Sequence, residues 1–371
     1  MTERLGVLDG LRCYATLIVL WYHLAQMEQA PAPAPVWLPY IPIIGYVGLF
    51  SFFFISGFLI AYPFIQARVA RRPEPAWGHF AWRRFIKVVP SYALSIVIAY
   101  AIGYAAIVRN GSTVPQEIVT HALFIHTWWP QTYFSINWVL WTLAIEVQFY
   151  VVFPALWWCF RRQPWVTGLA MIALAWVVRS LAPSCCGGTL TQVARNLPGY
   201  TDYFACGMLC AWLFVRFGHR LREGRNRYLM FAFAVSAFAV LGLWMFAKSS
   251  GVPVAIQIGG TSVFQIWSFA GIAFGIITLG ALCSPRGWSF ILANPVTRFV
   301  AIISLNLYLY HQMIARELRL RFPSPAPSDA AALGHWQVTF FVAAVVLAIG
   351  VAVLLTYAME RPLLRLSPKT S

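Results

Sequence analysis

Charged residues are scarce in this chain. Only 10% of its 371 residues are charged and 60% are hydrophobic, whereas charged residues make up about 25% of an ordinary soluble domain. The sequence also lacks the alternating segments of roughly ten residues that are typical of a transmembrane barrel. These two absences exclude a soluble globular protein and a barrel, and they predict an all-α integral membrane protein.

Cysteine gives no sign of a metal site. The chain has seven cysteines, and their spacing matches no metal-ligand pattern, so the sequence predicts no bound metal. Cys206 and Cys210 are one helical turn apart in an apolar segment, where we expect them to serve packing. Cys185 and Cys186 fall in a predicted outer loop, and we expect them to be open to oxidation if that side is periplasmic.

Acidic residues are outnumbered by basic ones. Eleven Asp and Glu stand against 27 Lys and Arg, which gives a formal net charge of +16. Most of the basic residues fall in alternate segments between apolar runs, as the positive-inside rule describes for cytoplasmic loops. The charge pattern therefore predicts cytoplasmic N- and C-termini and contacts with anionic lipid head groups, and it requires no nucleic-acid partner.

Apolar segments of about twenty residues, the length that crosses a 30 Å hydrocarbon core as a helix, recur along the chain. They predict one transmembrane domain, residues 1–371, with no appended soluble domain. The ten predicted spans are residues 8–27, 43–65, 88–108, 138–160, 165–181, 199–217, 228–247, 262–283, 296–318 and 336–358. Arg12 and His23 interrupt the first span, so we expect it to be retained rather than cleaved as a signal peptide. The stretch from Glu117 to Trp129 is too short and too polar to cross, and is predicted to be an interfacial or re-entrant helix.

A polar pair marks the first predicted span. Arg12 and His23 are eleven residues apart, which is within about 20° of three full helical turns, so both share one face about 16 Å apart along the axis. An isolated charge at mid-membrane costs about 2.5 to 3.5 kcal/mol even on insertion scales. We therefore expect this face to line a protein interior or a wet cavity, and the pair predicts a functional site within the membrane.

Glu146 lies in the fourth predicted span, at a depth close to that of His23. A carboxylate beside an imidazole raises its basicity and fixes its tautomer, which is what a general base needs. His23 and Glu146 are accordingly predicted to be catalytic, with Glu146 orienting His23. Two alternatives stay open: the pair only ties two helices together, or His311, at a similar depth in the ninth span, replaces His23.

Basic residues cluster at the predicted cytoplasmic mouth of the third span. Arg84 and Lys87 are three positions apart and share a helix face, and Arg83 lies beside them; we call these three residues the basic patch. Their charges suit phosphate oxygens, so the basic patch is predicted to hold a phosphorylated ligand from the cytosol. In the second span, the small pair Ser56 and Gly57 is a place where backbones, or a ligand arm, can approach closely.

The order and spacing of several short motifs resemble those of the acyltransferase-3 family of bacterial membrane-bound acyltransferases, whose members typically have ten spans. The resemblance covers nearly the whole chain. The matching motifs are residues 8–12 with His23, 53–58, 83–90, 141–150 with Pro154, 304–311 and 360–362.

The resemblance implies an O-acyltransferase of the bacterial inner membrane. Such an enzyme takes an acyl group, acetyl foremost, from cytosolic acyl-CoA and passes it to a hydroxyl of an envelope or exported glycan. By position, His23 corresponds to the essential histidine, Arg12 to its basic partner, and Glu146 belongs to the motif of the later helix. Many relatives carry an extracytoplasmic hydrolase-like domain, which this sequence is not expected to have.

The resemblance also suggests which residues contact the two substrates. Trp141, Asn306 and His311 lie in its later motifs and are assigned to substrate binding. The family's Arg-x-x-Arg appears here as Arg84-x-x-Lys87, which keeps the charge but loses one planar fork for the CoA phosphates. Arg12 is assigned, with the basic patch, to the acyl-CoA donor.

Residue chemistry and resemblance together predict one mechanism. CoA phosphates rest on the basic patch, the pantetheine arm passes Arg12, and the thioester reaches His23, which deprotonates the acceptor hydroxyl for direct attack. An acyl-histidine intermediate stays open. So do transfer to a small hydrophobic molecule such as a macrolide, and a proton-coupled transporter or flippase that uses Arg12, His23 and Glu146 as a relay. Against a transporter, paired half-length spans broken by Gly or Pro are missing.

Overall fold

A computed structural model describes residues 6–28, 41–182, 189–249, 263–284, 290–326 and 329–365. Within these ranges every regular element is a helix, and no strand is found. The predicted all-α class is therefore confirmed. The two neighbouring cysteines at positions 185 and 186 lie outside the described residues, so their predicted oxidation stays a prediction.

Ten long helices and several short ones form the described part of the bundle. The long helices are α1 (Gly6–Glu28), α2 (Ile41–Val69), α3 (Trp77–Ala101), α6 (Leu140–Phe160), α7 (Pro164–Leu181), α9 (Thr201–Leu221), α10 (Asn226–Ser249), α11 (Val263–Cys283), α12 (Pro295–Arg321) and α13 (Ala330–Leu355). The short ones are α4 (Tyr104–Val108), α5 (Val114–Ala122), α8 (Thr189–Ala194) and α14 (Arg361–Arg365). A π-helical turn, Thr356–Glu360, joins α13 to α14.

Six helices are long and apolar enough to cross a membrane, judged on the described residues. They are Gly45–Val69, Trp77–Ala101, Leu140–Phe160, Pro164–Leu181, Asn226–Leu243 and Ala331–Arg365. Helices α1, α9, α11 and α12 also coincide with predicted spans but are not among the six. In α11 the apolar stretch is shorter, Phe269–Cys283. Helices α1, α9 and α12 each carry polar or charged side chains on their packed surfaces, such as Arg12, Asp202 and Gln312. The count of ten spans and the cytoplasmic termini stay predictions.

Helix α3 departs from its predicted bounds. It begins at Trp77, well before the predicted start at residue 88, and therefore contains the basic patch within the helix. It ends at Ala101 because Gly103 takes up a left-handed conformation with φ of 73°, after which the short α4 follows. The predicted third span is thus two helices with a glycine turn between them.

The direction of the helices defines two ends of the bundle. Gly45 of α2 packs against Tyr22 of α1, so these two helices are antiparallel, whereas the starts of α1 and α12 meet near Gly6 and Pro295. The starts of α1, α3 and α12 therefore lie at one end, together with Arg71 and other basic residues that follow α2. We call this the basic end.

Helices α2 and α9 cross in close backbone contact. A Cβ atom added to Gly57 would lie 2.3 Å from the carbonyl oxygen of Phe204, and one added to Gly207 would lie 2.1 Å from that of Phe54. Only glycine fits at such distances. The predicted close approach at Gly57 is confirmed, and it fixes the position of α2.

Cys206 and Cys210 have the packing role that was expected of them. Both are buried on α9, and the Cys210 thiol lies 3.6 Å from the carbonyl oxygen of Gly275 on α11. They help to join α9 to α11.

The segment between α3 and α6 contains the predicted short helix, α5. Its Glu117 side chain is fully buried and accepts hydrogen bonds from Tyr100 at 2.6 Å, Ser112 at 2.6 Å and Arg109 at 3.0 Å. Burial alone would raise the pKa of this carboxyl, but the hydrogen bonds outweigh burial and lower the pKa below its usual value. Glu117 therefore anchors the segment as a carboxylate.

Two fully buried histidines give this segment an expected weakness in acid. The rings of His121 and His126 stack with centroids 3.8 Å apart, and burial lowers the pKa of His121 to about 4. An unfolded histidine keeps a pKa near 6.5, so the stability is fully present above that pH and is lost as the pH falls toward 4, by about 3 kcal/mol. Thermal unfolding of the purified protein between pH 7 and pH 4 measures this loss.

The variant His121→Phe is the control for this expectation. Phenylalanine keeps a ring in the stack but cannot bind a proton, so the unfolding temperature of the variant should depend less on pH than that of the unaltered protein. Equal pH slopes for the two proteins would show that His121 does not titrate on unfolding.

Candidate active site

Two cavities adjoin one another along α1. The first, of about 760 Å³, is lined by Arg12, Ser56, Arg84, Lys87, Glu146 and Tyr150, among others. The second, of about 710 Å³, is lined by Tyr22, His23, Trp138, Trp141 and Gln312, among others. The first cavity lies toward the basic end and is polar, whereas aromatic rings surround the second.

Glu146 is held inside the first cavity. Its Oε1 atom accepts hydrogen bonds from the Ser56 hydroxyl at 2.5 Å and the Tyr150 hydroxyl at 2.5 Å. The guanidinium of Arg84 lies 5.5 Å from the centre of the Tyr150 ring, and Arg12 lines the same cavity. The cavity thus presents two guanidinium groups around a fixed carboxylate, an arrangement that suits an anionic ligand with a polar arm.

Lys87 has an acidic partner that its predicted role did not include. Its ammonium pairs with Glu360, whose carboxylate is only 2% exposed. Asn306 donates to the other carboxylate oxygen of Glu360 at 3.0 Å and to the Thr356 hydroxyl at 2.9 Å. Asn306 positions Glu360 and does not line either cavity, so its assignment to substrate binding stays a prediction.

His23 forms a hydrogen-bonded pair with His311 at the second cavity. The distance from His23 Nδ1 to His311 Nε2 is 2.7 Å, and His311 Nδ1 lies 2.8 Å from the carbonyl oxygen of Tyr308. A carbonyl oxygen only accepts, so His311 carries its proton on Nδ1, and its bare Nε2 accepts from His23 Nδ1. This assignment leaves the lone pair of His23 Nε2 free, as a general base requires.

The predicted contact between Glu146 and His23 is wrong. Glu146 lies five positions beyond Trp141 on α6, about 7.5 Å further along the axis, and this displacement takes it from the second cavity into the first. His311 orients His23 instead, because α1 and α12 run side by side in the same direction. His311 itself lies behind His23 and not on the described wall of the cavity.

Of the remaining predicted site residues, one lines a cavity and one lies on the surface. Trp141 lines the second cavity beside His23, as a substrate-binding residue would. Arg83 is exposed on α3 and lines neither cavity. It is adjacent to Arg84 in sequence, so its side chain is turned about 100° around the helix from the face that carries Arg84 and Lys87. The basic patch therefore contributes two of its three residues to the first cavity.

Sequence reasoning missed a polar residue of the second cavity, Gln312. Its side chain is 2% exposed and lines the cavity, and its Oε1 atom has no hydrogen-bond partner among the described residues. A buried amide oxygen without a partner favours a ligand that donates a hydrogen bond. Its position next to His311 is the signal that could have identified it.

The apolar helices are features of a multi-pass membrane protein, and the two cavities lie between them. The sequence profile of the family described as "Acyltransferase domain" matches residues 5–357, nearly the whole chain. The chain belongs to the acyltransferase-3 family.

Three similar proteins, all named as acyltransferases or O-acetyltransferases, agree with this family. The chain is 30% identical over 220 residues to acyltransferase MdmB of Streptomyces mycarofaciens, covering 55% of this chain and 52% of that protein. It is 24% identical over 336 residues to the peptidoglycan O-acetyltransferase OatA of Listeria monocytogenes, covering 83% and 49%. A putative O-acetyltransferase of Staphylococcus aureus is 24% identical over 330 residues, covering 82% and 49%. The chain spans about half the length of these relatives. No solved structure matches it.

Proposed function

We propose that this protein transfers a short acyl group, acetyl foremost, from acyl-CoA to a hydroxyl group of a glycan or lipid-linked glycan. The observation that carries the proposal is the His23–His311 pair, which leaves a free imidazole nitrogen at a cavity adjoining a basic one. Two relatives, both named as O-acetyltransferases, support acetyl transfer.

The proposed setting is the bacterial cytoplasmic membrane, crossed ten times, with both termini and the basic end in the cytosol. Three helices fall short of the apolarity of a span because they face the polar interior, which is what the helices of an internal site require. The excess of arginine at the basic end supports this orientation. Acyl-CoA, which is made in the cytosol, would then enter the first cavity from the cytosol.

The donor is proposed to occupy the first cavity. Arg84 and Lys87 hold phosphate groups of CoA, Arg83 contributes charge at the surface, and the pantetheine arm passes Arg12. Lys87 keeps one hydrogen bond to Glu360 while its other two protons remain for the ligand. The thioester then lies at the wall that the two cavities share.

The chemical step is proposed to be general-base catalysis. The acceptor hydroxyl donates to His23 Nε2, and its oxygen forms a bond to the thioester carbon as the proton moves to the imidazole. The carbon–sulfur bond breaks, and the thiolate of CoA takes the proton back from the imidazolium, so that an ester and free CoA leave. His311 accepts from His23 Nδ1 throughout and keeps the ring in place.

Release of CoA thiol tests the proposal. Purified protein in lipid nanodiscs receives acetyl-CoA with one of three acceptors: a peptidoglycan fragment, a simple glycoside or a macrolide. We expect thiol release that depends on the glycan acceptor and forms an equal amount of O-acetyl ester, measured by mass spectrometry. Release with the macrolide alone would favour the small-molecule alternative. A transporter releases no thiol with any acceptor, and that outcome would refute the enzyme.

A further inference from the structure

A wall of two side chains separates the cavities. Leu49 of α2 and Tyr308 of α12 line both cavities, and both side chains are largely buried. The wall lies close to the histidine pair, because the rings of Tyr308 and His311 are 6.0 Å apart. A ligand that extends from Arg84 and Lys87 to the imidazole of His23 has to pass between these two side chains.

The two halves of the wall are held differently. The Tyr308 hydroxyl donates to the carbonyl oxygen of Val139 at 3.2 Å and lies 2.8 Å from the Thr142 hydroxyl, so two contacts at the start of α6 fix the ring. Phe52 packs against the same ring edge to face, at 6.1 Å. The Leu49 side chain has no polar group and so no hydrogen bond holds it. Tyr308 is therefore the fixed half of the wall, and Leu49 is the half that can change rotamer.

We propose that Leu49 and Tyr308 select the length of the acyl chain that is transferred. This inference rests on the proposed function, in which the thioester reaches the wall from the first cavity. In the bound donor, the acyl group lies between the sulfur and His23. It is therefore the only part of the donor that has to pass between Leu49 and Tyr308. An acetyl group needs only a small displacement of Leu49, whereas each further methylene extends into the second cavity, where the acceptor binds.

Binding of unreactive donor analogues tests this selection without an acceptor. The probes are free CoA and the thioethers S-ethyl-CoA, S-butyl-CoA and S-hexyl-CoA, titrated against purified protein in nanodiscs. The unaltered protein should bind S-hexyl-CoA more weakly than S-ethyl-CoA. In Leu49→Ala this preference should fall by at least about tenfold, since each methylene accommodated in an apolar space gains about fourfold in affinity.

Leu305→Ala is the matched control. Leu305 lines the first cavity but not the wall, so its truncation removes the same atoms without opening the passage, and the ratio of the two affinities should stay unchanged. Leu49→Val provides a milder opening that keeps the branched side chain, for which we expect a change of about fourfold. Leu49→Val takes the place of Leu49→Ala in the test if Leu49→Ala does not fold.

The outcomes separate this inference from the proposed function. If free CoA and S-ethyl-CoA bind but the chain-length preference is the same in the unaltered protein and both Leu49 variants, the wall does not select the acyl group. An equal change in Leu305→Ala would likewise overturn the role of the wall. If no CoA compound binds the unaltered protein, the donor assignment fails, and the inference falls with it.

Discussion

Alanine in place of His23 is expected to abolish acyl transfer while the protein stays folded. The free Nε2 atom of His23 is the proposed base, and general-base assistance contributes about a hundred- to ten-thousand-fold to a rate. His23 lines a cavity, so water can take the place of its ring beside His311, and the unfolding temperature should change little. Turnover of acetyl-CoA and thermal unfolding of purified protein in nanodiscs measure the two quantities.

Two further histidine variants make this expectation specific. His335 is exposed at the start of α13, and His335→Ala should retain full activity. His311→Ala leaves His23 without its hydrogen-bond acceptor, so kcat should fall and its pH profile should shift, while KM for acetyl-CoA stays unchanged because the first cavity is intact. Full activity in purified His23→Ala would show that His23 is not the general base.

Valine at position 57 is expected to prevent folding. Its Cβ would lie 2.3 Å from a backbone oxygen of α9, and backbone atoms in a packed helix cannot move aside as a side chain can. Overpacking of a core costs about 1 to 3 kcal/mol when side chains adjust, so a clash with backbone should exceed about 3 kcal/mol. We expect Gly57→Val to yield little monodisperse protein on size-exclusion chromatography and no acyl transfer.

Gly350→Val is the matched control for this variant. Gly350 also lies within a long apolar helix, α13, but a Cβ added there meets no atom within 4 Å. The variant should therefore elute and unfold like the unaltered protein. Normal folding of Gly57→Val would mean that α2 and α9 are further apart than the structure has them.

Local features of the site could be predicted from sequence, because helical geometry alone determines them. The shared face of Arg12 and His23 follows from a spacing of eleven residues, and the two residues line adjoining cavities on α1. Apolar length likewise locates the helices. Hydropathy alone places the start of α3 too late, at residue 88 instead of Trp77. The first turns of α3 are polar, and a hydropathy pattern does not detect a helix that extends beyond the apolar core.

Contacts between distant helices could not be predicted in this way. Depth along a helix does not specify rotation about its axis, so Glu146 was paired with His23 although it faces Ser56 in the other cavity. The partner of His23 is 288 positions away, at His311, and nothing in either segment alone specifies that contact. Such pairs depend on how the helices pack, which a single sequence does not state.

The pairing of Lys87 with Glu360 has a consequence for the resting protein. Glu360 is the enclosed member of the pair, and a buried carboxylate without a partner would cost several kcal/mol in desolvation. Glu360 provides a resident negative charge, and Asn306 keeps that charge within reach. A donor phosphate would take the other two protons of Lys87, and the hydrogen bond to Glu360 would hold the ammonium in place after spent CoA departs.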